Sequence, residues 1–367
     1  MNKSLRDRLG WLALGVSLLG ACGGPGEELS DATPVLAETD SALQSSDVSV
    51  VLTAVQPSFD QADAVKVSVS FTNISPRPVN LLRWFMPLDG MEEPLFQVTL
   101  DGKPVPFLGP HYKRPMPAEV DYRRLHPGET ISGPVILSDL YDLSRTGRYV
   151  VRFRVDRSKL HGSGKAGALL QSNELALWIS GRANARQEAD APVYALTANV
   201  SYTKCDATQQ ATVLQAVNAA STYANGATSY LGGPASATSR YTTWFGAFSS
   251  SGWNTAASHF TSIKNAFDTK PVTVDCGCKK SYYAYVYPNQ PYKIYVCKAF
   301  WSAPMTGTDS KGGTLIHEMS HFTATAGTDD WVYGQSGAQS LALSDPSQAL
   351  DNADSHEYFA ENNPSLP

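Results

Sequence analysis

The chain has 367 residues, a net charge of -5 and only 17% charged residues. That length suits two domains with separate cores. The weak negative balance excludes a broad basic face for nucleic acid or another polyanion, and no block of like charge marks a solvating tail.

In chain order, Lys3, Arg6 and Arg8 precede an apolar run from Leu9 to Leu19. The run is too short to cross a bilayer as a stable helix, so residues 1–22 read as an export signal. Its end, Leu19-Gly20-Ala21-Cys22, is similar to the lipobox of bacterial lipoproteins, in which the cysteine carries lipid and becomes the new N-terminus. An ordinary signal cut near Ala21 is the other reading. Residues 23–47 lack an apolar period and read as a flexible tether.

From 48 to 180, runs such as VSVVLTAV, AVKVSVSFTNI and GRYVVRFRV alternate or are β-branched, with Pro, Gly, Asn and Asp turns between them. This is the pattern of an all-β, immunoglobulin-like sandwich. Residues 181–200 read as a linker, and then the composition changes. Fourteen of the fifteen arginines precede it, and residues 201–367 hold only Arg240, with Glu318, Glu357 and Glu361 their only glutamates. The second domain, 201–367, reads as mainly α with a small sheet. Helices are expected over 207–223, 256–267, 314–325 and 346–359, with an aromatic hairpin around Pro288-Asn289.

If Cys22 carries lipid, Cys205, Cys276, Cys278 and Cys297 form an even set in an oxidising compartment, so two disulfides are expected. A Cys276–Cys278 bridge would be strained, which leaves two pairings open. A zinc site of all four cysteines lacks the usual C-x2-C knuckles.

The chemistry gathers in HEMSHFTATAGTDDWVYG, residues 317–334. His317 and His321 are four apart, so on a helix they share one face about 6 Å apart along the axis, and both imidazoles reach one ion. Glu318 lies beside the first ligand, where its carboxylate can take a proton from a metal-activated water. Gly327 lets the chain leave the helix and turn back toward the ion.

The segment Gly327-Thr328-Asp329-Asp330-Trp331-Val332-Tyr333-Gly334 resembles the G-T-x-D-x-x-Y-G signature of the aspzincins, the deuterolysin-type zinc metalloendopeptidases. The likeness extends to the peptidyl-Lys metalloendopeptidases through YTTWFG (241–246), AYVYPN (284–289), AFW-x-AP (299–304), TGTDS (306–310) and NADSHEYFAENNP (352–364). It implies a zincin-type catalytic domain holding one Zn2+ per chain on His317, His321 and Asp330, with Glu318 as base and Tyr333 on the oxyanion. It also implies disulfides Cys205–Cys276 and Cys278–Cys297, and a lysine pocket made by Asp354 and Glu357. Cleavage would then fall before lysine in protein or peptide substrates, because the acidic pocket receives the residue after the scissile bond. His356, between those acids, reads as structural or exposed.

The expected product is an exported outer-membrane or cell-surface lipoprotein precursor that touches the membrane only through lipid on Cys22 and has a releasable catalytic domain. The front sandwich is expected to be an inhibitory or chaperoning pro-domain, rather than a surface-binding module or a spacer, and to act as an intramolecular inhibitor with Lys159 or Lys165 of the loop SKLHGSGKAG placed in the acidic pocket as a substrate mimic. The alternatives are a deuterolysin of broader specificity and a lipid-anchored binding protein with a structural zinc.

Overall fold

The computed structural model describes residues 47–88, 90–156, 159, 169–182, the backbone of 194–197, and 200–367. The export signal with Cys22, nearly all of the tether, Lys165 and most of the expected linker lie outside the described residues.

The longer strands of the first half are β1 (Val48–Ala54), β2 (Lys66–Asn73), β3 (Phe96–Leu100), β4 (His111–Lys113), β5 (Thr130–Ile136), β6 (Gly147–Asp156) and β7 (Leu175–Ile179). β2 lies between β1 and β5 in one antiparallel sheet, and β6 between β3 and β7 in another. Alternation explains the arrangement, since successive residues of a strand face opposite sides. Val50, Leu52, Val69 and Phe71 of the first sheet and Val98, Tyr149, Val151, Phe153 and Leu177 of the second are buried in one core. Phe71 and Phe153 meet edge to face at 5.2 Å. The N-terminal region is therefore β-rich, as the alternation predicts.

β4 belongs to neither sheet. The second half contributes β8 (Tyr194–Thr197), β9 (Val200–Thr203), β10 (Val272–Asp275), β11 (Ala284–Val286) and β12 (Lys293–Val296), in the order β8-β9-β10-β12-β11-β4. β9, β10 and β12 run parallel, while β11 is antiparallel to both β12 and β4. Two findings thus depart from the expected domain limits. Tyr194–Thr197, within the expected linker, forms a strand, and the first half supplies the last strand of the second half's sheet. The described residues form one compact unit.

The helices are α1 (Ala207–Leu231), α2 (Ser239–Phe245), α3 (Ser250–Thr269), α4 (Lys298–Ser302), α5 (Lys311–His321), α6 (Gln335–Ser344), α7 (Pro346–Leu350) and α8 (Ala353–Glu361). α1 starts at a capping box in which Asp206 accepts from the Gln209 N–H, and it extends past the expected end at Tyr223. α3 also starts earlier than expected, and the last expected helix is split by Asp351 and Asn352 into α7 and α8. α5 is buried throughout, against α1 on one side and α8 on the other. A Cβ at Gly312 would lie 2.9 Å from the Ala219 Cβ, so the approach of α5 to α1 depends on that glycine.

The disulfides are Cys205–Cys276, from the start of α1 to the end of β10, and Cys278–Cys297, which closes the loop carrying β11 and β12. This is the pairing implied by the resemblance. Closing loops of these lengths stabilises the fold by about 3 to 4 kcal/mol each in the chain-entropy account.

Candidate active site

α5 brings His317 and His321 to one face, with their Nε2 atoms 3.1 Å apart. Gly327, with φ 65°, reverses the chain after the helix, and Asn352 Oδ1 pins the returning loop by accepting from the Trp331 and Val332 N–H groups at 3.0 and 3.2 Å. Asp330 thereby reaches both imidazoles, with Oδ1 3.2 Å from His317 Nε2 and Oδ2 3.5 Å from His321 Nε2. Each outer ring nitrogen also has a neighbour. His321 Nδ1 lies 2.8 Å from the Thr328 carbonyl oxygen, and His317 Nδ1 lies 2.8 Å from Asp354 Oδ1.

This donor set fits a divalent cation. Both Asp330 oxygens are buried and accept no hydrogen bond, while the two Nε2 atoms face each other. Burial lowers the His317 pKa, but Asp330 and Asp354 outweigh it and push the imidazole up to about 10. Burial, with His317 and His111 adding to it and Asp330 opposing, holds His321 down to about 4. Two imidazoles and one carboxylate match the ligand types of catalytic zinc, and the carbonyl and carboxylate behind the rings are the partners that orient such ligands.

Glu318 is fully buried, and burial is the main cause that pushes its carboxyl up to about 8, near the pH at which a general base is most useful. The Tyr333 hydroxyl lies 3.0 Å from the Tyr112 carbonyl oxygen and 3.2 Å from Glu93 Oε1, and it accepts from Arg114 Nη1 at 2.9 Å. Arg114 is also paired with Glu93 and, at 3.2 Å, with Glu92.

Asp354 and Glu357, both on α8 and both fully buried, form one pocket with Asp309. The pocket holds Lys113 of β4. Its Nζ lies 2.5 Å from Glu357, 3.4 Å from Asp309 and 3.5 Å from Asp354, over the Tyr283 and Tyr358 rings. Burial would strip the Lys113 charge, but the three carboxylates hold its pKa well above the usual value. Glu361 sits behind them, accepting from the Ser310 N–H and hydroxyl at 2.9 and 2.7 Å. A Cβ at Gly313 would lie 2.0 Å from one Glu361 oxygen and 3.0 Å from a Glu357 oxygen, so glycine alone lets these acids lie against α5.

The sequence and its resemblance pointed to His317, His321 and Asp330 as candidate ligands, and to Glu318, Tyr333, Asp354 and Glu357, but not to Asp309, although TGTDS contains it. Lys159, expected in the pocket, instead lies 3.7 Å from Asp329 and over the Trp331 ring, and Lys165 lies outside the described residues. Lys113, on a strand paired to the sheet edge, reaches the pocket, which Lys159 does not. His356 is buried, against His259 at 3.0 Å and the Asn352 carbonyl at 3.0 Å.

A buried H-E-x-x-H helix with a carboxylate folded back on it is the machinery of a metal-dependent hydrolase. Residues 230–361 match the family described as lysine-specific metallo-endopeptidase. An extracellular protease of Aeromonas hydrophila is 46% identical over 322 residues, spanning 86% of this chain and 92% of that protein. A peptidyl-Lys metalloendopeptidase of Pleurotus ostreatus is 57% identical over 168 residues, 45% of this chain and 99% of that protein. A solved zinc peptidase from Grifola frondosa, 48% identical, aligns with 44% of this chain and 100% of its own, at a TM-score of 0.43. The chain belongs to the lysine-specific metallo-endopeptidase family, the aspzincins, and is a zinc metalloendopeptidase.

Proposed function

We propose that this protein is an exported endopeptidase that cleaves on the N-terminal side of lysine and is made as a precursor restrained by its own N-terminal region. The observation that carries the reading is the Lys113 ammonium buried among Asp309, Asp354 and Glu357, one residue past a carbonyl facing Tyr333.

Zinc held by His317, His321 and Asp330 would supply a Lewis acid and make a water molecule acidic near neutral pH. Glu318 takes the proton of the attacking water and returns it to the leaving amine. Tyr333 donates to the oxygen that becomes an oxyanion, a contact whose loss costs about 3 kcal/mol of barrier. The three-acid pocket selects lysine through its ammonium, and β11 offers an incoming backbone the edge that β4 occupies in the precursor. Inhibition then amounts to occupancy, since β4, Lys113 and Arg114 fill the backbone edge, the lysine pocket and the surroundings of Tyr333.

Residues 1–22 direct export, and Cys22 is the proposed lipid attachment site. Sequencing the peptides that the processed enzyme releases from one denatured protein tests the specificity. New N-termini should be lysine, and a chelator should abolish them. Cuts scattered over other residues would favour a broader deuterolysin, and no cuts would favour a structural zinc.

A further inference from the structure

We propose that the Tyr112–Lys113 bond is this enzyme's own first substrate, cut within the same molecule when metal is loaded. The inference rests on the endopeptidase reading above and goes beyond inhibition, because a blocking segment needs only to fill the site, whereas here one peptide bond is presented for reaction.

Four features converge on that bond. β4 pairs antiparallel with β11 in the register Ala284 to Lys113, Tyr285 to Tyr112 and Val286 to His111. The carbonyl side of the bond faces the Tyr333 hydroxyl at 3.0 Å. On the nitrogen side, the Lys113 N–H donates to Glu318 Oε1 at 3.3 Å, so the carboxylate that must deliver a proton to a leaving amine already touches that atom. The side chain beyond the nitrogen is a lysine in the acidic pocket, and the Tyr283 N–H donates to the Lys113 carbonyl at 3.0 Å, fixing the strand past the bond. Carbonyl, nitrogen and side chain thus meet the groups assigned to them for any other substrate, in the polarity that puts lysine after the cut.

The step consumes one water. Its oxygen bonds to the Tyr112 carbonyl carbon while Glu318 takes one proton. The carbon–nitrogen bond then breaks as that proton passes to Lys113 nitrogen, and the water's second proton follows from the new carboxyl group to the amine, leaving a Tyr112 carboxylate and a Lys113 ammonium with no change of oxidation state. The nick does not separate the pieces. β2 and β3 precede it and pair with β5 and β6, which follow it, around a shared core.

The test uses the full chain prepared free of metal. Before zinc is added, an acetylating reagent should leave Lys113 unlabelled while the exposed Lys66 and Lys103 react. After zinc is added and its binding measured, mass spectrometry should find a new N-terminus at Lys113. Its rate should not change with protein concentration, and the Glu318→Gln chain should lack it. The two fragments should co-elute on gel filtration until denatured. Labelling of Lys113 as fast as Lys66, a zinc-loaded chain left whole, or a first cut before any other lysine would each overturn the proposal. The Lys113→Ala chain, assayed on an added lysine peptide, separates the failures: hydrolysis there, with the parent chain left whole, sinks self-cleavage alone, while the endopeptidase reading falls only if the processed enzyme releases no peptides from a denatured protein.

Discussion

Asp354 serves three neighbours at once. Its Oδ1 lies 2.8 Å from His317 Nδ1 and 3.5 Å from Lys113 Nζ, and its Oδ2 accepts the Gly334 N–H at 2.6 Å. The proposed lysine pocket and the proposed metal ligand His317 are therefore coupled through one carboxylate, and the two pocket acids are not equivalent. Asp354→Asn should weaken zinc binding about 10- to 100-fold, as loss of a partner behind a metal ligand does, and also blunt lysine preference. Glu357 comes no closer than 3.6 Å to that ring, so Glu357→Gln should retain zinc and lose preference for lysine over norleucine. Zinc titration and kcat/KM on paired peptides read both effects. Glu318→Gln should bind zinc normally and turn over at least about 100-fold more slowly, which single-turnover assays with measured metal content check. The residues legible in the sequence were those within short fixed spacings, such as His317, Glu318 and His321. Asp309 and Glu361 escaped because they meet the pocket only after α5 packs on α8, from positions 45 or more residues from Asp354 or at the far end of its helix.

Between elements, α3 and α8 meet through two imidazoles. His259 Nδ1 lies 3.0 Å from His356 Nε2, while His356 Nδ1 faces the Asn352 carbonyl. Burial, aided by His259, holds His356 down to about 3, below the ordinary histidine value of 6.5, and burial lowers His259 too. A lowered folded pKa gives stability that is present above pH 6.5 and is lost as the pH falls toward 3. Over that window unfolding should become easier by up to about 1.4 kcal/mol per pH unit for each such imidazole. His356→Phe should flatten the slope, measured by urea unfolding between pH 7 and pH 4. Periodicity revealed α1, α3 and α5 because each repeats an apolar face over several turns. It could not reveal β4, where His-Tyr-Lys lies between Pro110 and Pro115 with too few residues to alternate. That strand is defined by its partner β11, not by its own sequence.

At the scale of the whole chain, composition marked the change between halves near residue 200, yet the halves share a sheet and a site, a long-range pairing no local pattern encodes. Occupancy by Lys113 should be measurable without turnover. In the Glu318→Gln chain, Lys113→Ala should tighten binding of an added lysine peptide at least about tenfold, since the peptide no longer competes with a tethered ammonium at high effective concentration. Calorimetric titration of the two chains compares them directly, and equal affinities would mean that the pocket is not blocked.

The edge of β11 that β4 covers has a last consequence. Any lysine to be cut must first be drawn out straight and zipped onto that margin over several residues, so lysines wound into coils of native proteins are out of reach. Among intact neighbours such an enzyme trims tails and slack loops and spares well-knit bodies. Its choice of victims is then a reading of how loosely each is built, with the cation on the side chain consulted second.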